Sequence, residues 1–160
     1  MTDPLHLRRA TLEDVGAISD VYLRSRQTIA AYAPLMHSDE EVRQWIAEFL
    51  VPSGEVTVAL DGDRIAGMSA MSRAYGVVWL DQLYVSPSSF GLGIGSRLLA
   101  DVIDRALTVV QLYTFVQNTR ARAFYERHGF EAIEYGDGKN NEEGCPDVLY
   151  RLPYRDACKR

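Results

Sequence analysis

Gly91, Gly93 and Gly95 alternate where a β-rich run, Val77 to Val85, gives way through Pro87-Ser88-Ser89 to Leu98, Leu99, Val102, Ile103, Ala106 and Leu107 at helical spacing. A strand that ends in a glycine turn at a helix start has two chemical uses. Without side chains the backbone can approach a ligand closely, and the unpaired N–H groups of the first helical turn, at the positive end of the dipole, can hold phosphate oxygens. A diphosphate suits this cradle, although the same spacing also serves a tight turn that uses glycine for conformation alone. Two other phosphate loops are excluded by spacing: a dinucleotide turn needs a third glycine where Ser96 stands, and a nucleoside triphosphate loop needs a Gly-Lys-Ser/Thr that is absent. Upstream, in Trp79-Leu80-Asp81-Gln82-Leu83, Asp81 stands in a run from which aspartate is normally depleted and where burying a charge is costly. A carboxyl with a shifted pKa there is a candidate base or an anchor for a cationic substrate. Two residues before Leu83, it would share that residue's face in a regular strand; the alternative is a strand-end carboxylate facing solvent.

The elements that must position these groups are readable from periodicity. Leu5 and Leu7 alternate with His6 and Arg8 as a short strand, and Thr11 with Asp14 opens a helix through Val15, Ile18, Val21 and Tyr22. Ser38 with Glu41 is a capping box before Val42, Trp45, Ile46 and Phe49, and Pro52-Ser53-Gly54 stops that second helix. Val56, Val58 and Leu60 alternate, Asp61-Gly62-Asp63 has turn chemistry, and Ile65 to Met71 with Val77 to Val85 completes an antiparallel meander. After the glycine turn and its helix come a strand from Leu112 to Val116, a helix from Thr119 to Arg127 closed by His128-Gly129, and strands at Phe130 to Tyr135 and Val148 to Leu152. This order predicts an α/β sandwich with one strand-helix-strand crossover. The chain of 160 residues fits one domain, 1–160, with no repeat, linker or composition shift at which to divide it.

Two segments together carry a family resemblance. Phe90-Gly91-Leu92-Gly93-Ile94-Gly95 is similar to the coenzyme A pyrophosphate loop, Arg/Gln-x-x-Gly-x-Gly/Ala, of the GNAT family of N-acetyltransferases. Asn118-Thr119-Arg120-Ala121-Arg122-Ala123-Phe124-Tyr125-Glu126-Arg127-His128-Gly129-Phe130 resembles that family's Asn-x-x-Ala-x-x-Phe-Tyr-x-x-x-Gly-Phe segment, at the expected separation. The start at His37, the run Trp79-Leu80-Asp81 and the ending from Asn141 to Asp147 look like one bacterial branch of uncharacterised members. The resemblance implies an acyl-CoA N-acyltransferase fold: an α/β, mixed but mostly antiparallel sheet flanked by helices on both faces, with acetyl-CoA in a cleft where two strands splay apart. Coenzyme contacts would come from Leu83, Tyr84 and Val85, from Phe90, Gly91, Leu92, Gly93, Ile94, Gly95 and Ser96, and from Asn118, Ala121, Phe124 and Tyr125. Asn118 would bond the pantetheine arm. Tyr125 would lie beside the sulfur, where a phenol can protonate the departing thiolate. Asp81 is the candidate base, and His37, Asp81 and Glu142 are candidates for holding the amine. The sequence departs from the family pattern at Phe90, where Arg or Gln is customary, and at Leu92, where a basic residue is common. Backbone donors alone would then hold the phosphates, which implies a weaker grip on the coenzyme.

Seventeen Lys and Arg against twenty-two Asp and Glu give a net charge of −5, and no basic stripe with interleaved aromatics is present, so a nucleic-acid partner is not expected. No apolar run approaches the roughly 20 residues that span a bilayer, the first residues lack the apolar core of a secretion signal, and a cytoplasmic location is expected. Cys145 and Cys158 lack metal-ligand spacing and read as free thiols, so no metal is expected. The reading is an acyltransferase that moves an acetyl group from acetyl-CoA to the primary amine of a small molecule or peptide by direct attack, as a homodimer by resemblance. The alternatives are a non-catalytic acyl-CoA-binding module and an interaction protein.

Overall fold

The computed structural model describes residues 5–155; the first four residues and the last five, with Cys158, lie outside the described residues. Among the described residues seven strands form one sheet in the order β1-β2-β3-β4-β5-β7-β6, from β1 (His6–Arg9), β2 (Val56–Asp61), β3 (Arg64–Ala74), β4 (Val77–Val85), β5 (Val110–Phe115), β6 (Glu131–Gly136) and β7 (Asp147–Leu152). Every adjacent pair is antiparallel except β4 with β5, which are joined in parallel by the crossover through α3 (Ile94–Ala106). The α/β arrangement expected from the sequence is present. β5 begins at Val110 rather than Leu112, because Val110 and Gln111 are the residues that pair with Val78 and Trp79 of β4.

Helices α1 (Val15–Gln27) and α2 (Asp39–Trp45) cover one face of the sheet, while α3 and α4 (Thr119–Arg127) cover the other. Ile18, Val21 and Tyr22 of α1 and Val42 of α2 pack on Val56, Val58, Met68 and Ala70. On the opposite face Leu99 and Val102 of α3 and Tyr125 of α4 pack on Val78, Leu80, Leu112, Val148 and Tyr150. Truncating a fully buried leucine such as Leu99 to Ala should cost about 2–5 kcal/mol.

Local chemistry sets where these helices begin. Before α1 the Asp14 carboxylate accepts from the Thr11 N–H at 2.8 Å and from the Arg8 fork at 2.7 and 2.9 Å. The Arg8 hydrogen bond holds the Asp14 carboxyl below its usual range. The capping box of α2 is formed: the Glu41 N–H donates to Ser38 Oγ and the Ser38 N–H to Glu41 Oε1, each at 3.1 Å. Beyond Trp45 the helix widens over Ile46–Leu50 and tightens over Val51–Ser53 before Gly54, at φ +78°, ends it. α3 lies close on β3 because residue 67 is glycine; a Cβ there would stand 2.9 Å from Ile94 Cγ2 and 3.2 Å from the Tyr84 carbonyl oxygen.

Candidate active site

The parallel ladder between β4 and β5 is short. Val78 pairs with Val110 and Trp79 with Gln111; beyond them β4 continues to Val85 and β5 to Phe115 without pairing. β5 stays paired with β7 along its length, so the opening falls between β4 and β5. A cavity of about 450 Å³ lies along the end of β4, between the starts of α3 and α4. It is lined by Leu83, Tyr84, Val85, Phe90, Gly91, Gly93, Ile94, Gly95, Ser96, Asn118, Ala121, Phe124 and Tyr125, all expected from the sequence, and also by Ser25, Thr28, Ile29, Ser89, Arg120 and Arg127, which were not. Leu92 is the one expected coenzyme contact outside this lining; its side chain is 63% exposed.

Each wall has a local cause. Gly91 and Gly93 have φ +81° and +77°, a left-handed conformation open to glycine at little cost, and Gly93 caps α3. Gly95 gives the turn its close fit: a Cβ there would lie 3.4 Å from Phe124 and 3.7 Å from Val85. The first N–H groups of α3 have no helical acceptor and stand at the cavity. Across it, Asn118 caps α4, its Oδ1 accepting from the Ala121 N–H at 3.1 Å, which leaves its side-chain NH₂ available as a donor. The Ser25 hydroxyl donates to the Val85 carbonyl at 2.9 Å and ties α1 to the end of β4. Tyr125 is held edge-on by Phe124 and Phe130. Burial first, and the Tyr84 phenol second, push its pKa above the ordinary tyrosine value, so it keeps its proton at neutral pH.

Asp81 is placed differently from the sequence expectation. In the β3–β4 register Ala70 opposes Gln82 and Met71 opposes Leu80, so Asp81 is the extra residue of a β-bulge. The bulge flips the alternation: Leu80 and Leu83 both pack on the α3 face, and Tyr84 on the α1–α2 face. Asp81 therefore does not share a face with Leu83. Its partner Ser72 lies opposite Trp79, which puts Asp81 on the side where Trp79 stacks on Tyr113 at 5.7 Å. Desolvation by the surrounding strands raises the Asp81 pKa and the Ser72 hydroxyl partly opposes this, while enough of the residue stays open to meet a substrate.

His37 and Glu142 do not line the cavity, but they are brought together from 105 residues apart: His37 Nε2 lies 2.8 Å from a Glu142 carboxylate oxygen. The Glu142 hydrogen bond raises the His37 pKa. Beside this exposed pair is a buried one that the sequence reading missed. Arg26 of α1 meets Glu143 at 3.2 Å and donates to the Ala33 carbonyl at 3.2 Å, with its Nε left unpartnered. The segment between α1 and α2 and the β6–β7 loop are thus clasped twice. A single Arg in a helical pattern, 117 residues from its partner, offers no sequence signal of this.

A hollow of about 520 Å³ lies elsewhere, bounded by Arg8, Asp14, Arg24, Asp63 and Arg64. Its charges are mixed and partly paired internally, as Arg8 is with Asp14, and it shares no lining residue with the cavity at the end of β4. Among the described residues no cluster of His, Cys, Asp and Glu could hold a metal ion, and no helix is long and apolar enough to cross a membrane.

The sheet opens between two parallel strands, with a glycine turn at a helix start on one side and a capped helix bearing a tyrosine on the other. Residues 17–130 match the model of the Acetyltransferase (GNAT) family, and the chain belongs to that family. It is an acyltransferase. It is 24% identical over 143 residues to an uncharacterized N-acetyltransferase of Archaeoglobus fulgidus, covering 82% of this chain and 97% of the relative. The fold is shared with YncA of Salmonella typhimurium, solved with its cofactor acetyl-CoA (TM-score 0.74, 20% identity, 98% of this chain and 100% of that one). It is shared too with the PaiA N-acetyltransferase of Thermoplasma acidophilum in complex with coenzyme A (TM-score 0.70, 18% identity, 95% and 100%).

Proposed function

We propose that this enzyme binds acetyl-CoA along the end of β4 and transfers the acetyl group to the primary amine of a small molecule or peptide. The observation that carries the reading is that the end of β4, the glycine turn, Asn118 and Tyr125 line one cavity. Amide N–H groups of Gly91 to Ser96 hold the pyrophosphate, and the Asn118 amide donates to the pantetheine arm. Backbone N–H groups at the end of β4 polarise the thioester carbonyl and stabilise the tetrahedral oxyanion. The neutral amine attacks the carbonyl carbon. The new C–N bond forms, the amine's proton leaves to Asp81 or to a water, the C–S bond breaks, and Tyr125 donates its proton to the sulfur. A tyrosine whose pKa is raised serves as a donor because it is fully protonated when the thiolate charge develops.

Asp81, His37 and Glu142 belong to the acceptor side of this reading. The bulge presents Asp81 on the α1–α2 face, and the clasp of His37 with Glu142 joins the segment between α1 and α2 to the β6–β7 loop. No metal has a role in these steps. Residues 1–160 act as one catalytic unit, working in the cytoplasm as a homodimer; a buried, free Cys145 is in keeping with a reducing compartment. Thiol release from acetyl-CoA, measured across a panel of amino acids, polyamines, peptide N-termini and lysine peptides, tests the proposal. Amine-dependent release supports it. Coenzyme binding without release for any amine would leave a binding module in place of an enzyme.

A further inference from the structure

The glycine turn carries no basic side chain from Phe90 to Ser96, and Arg97, the next residue, does not line the cavity. A pyrophosphate seated there would meet backbone donors with no full positive charge from its own loop. Two cations reach the cavity from the other wall, Arg120 at the start of α4 and Arg127 at its end. Arg120 is held in an unusual way. Its guanidinium carbon stands 3.8 Å from the centre of the Phe90 ring. It is exposed, and among the described residues no carboxylate lies within ion-pair distance of it.

We propose that Arg120, laid on the Phe90 ring, supplies the cation that the turn lacks and grips the coenzyme's pyrophosphate. This rests on the coenzyme reading given above and assigns within it a residue outside the turn. A guanidinium seated over an aromatic face keeps N–H groups free, and its fork matches two phosphate oxygens at once. The ring also restrains a side chain that would otherwise lose rotamer freedom on binding. Phe90 thus has a function at a position where the family customarily has Arg or Gln: it is the platform for a charge delivered from across the cavity. Asn118 fixes the first turn of α4, through its bond to the Ala121 N–H, and so fixes where Arg120 starts. The arrangement removes the reason to expect a weak grip on the coenzyme.

Isothermal titration of the full chain with coenzyme A, dephospho-coenzyme A and acetyl-pantetheine tests this. Arg120→Ala should weaken coenzyme A about tenfold to a hundredfold, the span of one charged hydrogen-bonded contact. It should weaken dephospho-coenzyme A equally and leave acetyl-pantetheine, which has no pyrophosphate, unchanged. Phe90→Leu should give a smaller loss with the same ligand pattern, and adding Phe90→Arg to the Arg120→Ala variant should recover most of the affinity. Thermal unfolding of the Arg120→Ala variant should match the parent, since the residue is exposed. A loss confined to coenzyme A would assign Arg120 to the 3′-phosphate and overturn the proposal, as would a loss of less than twofold for all ligands. If the unsubstituted protein bound none of the three, the coenzyme reading itself would fall, and this inference with it.

Discussion

The two halves of the site are built by different means. The half proposed for the coenzyme uses contiguous segments, a strand end with its glycine turn and a capped helix, each organised by hydrogen bonds and backbone conformations local to it. The side proposed for the acceptor is tied together from remote segments: Arg26 with Glu143 and His37 with Glu142 bridge more than a hundred residues in each case. The first is a turn and a helix start that line one cavity. The second is a clasp between segments far apart in the chain, and pairing over that separation leaves no local pattern in the sequence.

The comparison is broken most severely at the buried clasp. Replacing Arg26 by Leu leaves the Glu143 carboxylate buried without its cation and should cost about 3–5 kcal/mol of stability. Adding Glu143→Leu should restore most of it, because Arg26 already has an unpartnered Nε and the pair is imperfectly satisfied. Denaturant unfolding of the parent and the two variants measures this; an unchanged single variant would mean the clasp is not a structural tie.

On the coenzyme side, Tyr125→Phe should lower kcat about a hundredfold, the lower range for a positioned proton donor, with KM for acetyl-CoA little changed. Equal turnover in parent and variant would remove the phenol from the chemistry.

Asp81 separates the halves more finely. Its raised pKa means that it takes up a proton at a higher pH than an ordinary aspartate. If it is the base, kcat/KM falls on the acid side as pH drops through that raised value, and Asp81→Asn abolishes that limb. A variant that raises only the acceptor KM, with the acid limb kept, makes Asp81 an anchor instead.

The smallest effect belongs to His37. Its folded pKa is raised by Glu142, so the stabilisation from the pair is complete below the unfolded value of about 6.5 and is lost as pH rises through the raised one. The acceptor KM should increase modestly across that window in the parent and stay flat in His37→Ala. An identical pH dependence in both would show that the pair does not shape the acceptor side.

Much of the lining of the cavity at the end of β4 is legible because its signals lie within a few residues: three alternate glycines, the segment from Asn118 to Phe130, and helical periodicity around both. What escaped was long-range or depended on exact register. The bulge at Asp81 shifts the strand by one residue and moves the carboxyl to the opposite face from Leu83, a change that alternation alone does not encode. Arg120 occupies a variable place in its motif, and only the missing charge at Phe90 and Leu92 hints that a cation must arrive from elsewhere. Leu92, inside the expected contact run, points out because the turn around it is strongly curved between Gly91 and Gly93.

The most direct test is a crystal structure of this enzyme with acetyl-CoA bound. The pyrophosphate should sit on the amides of Gly91 to Ser96, with the thioester sulfur within hydrogen-bond reach, about 3–4 Å, of the Tyr125 hydroxyl. A coenzyme lodged away from the end of β4, or a sulfur that Tyr125 does not approach, would contradict the account.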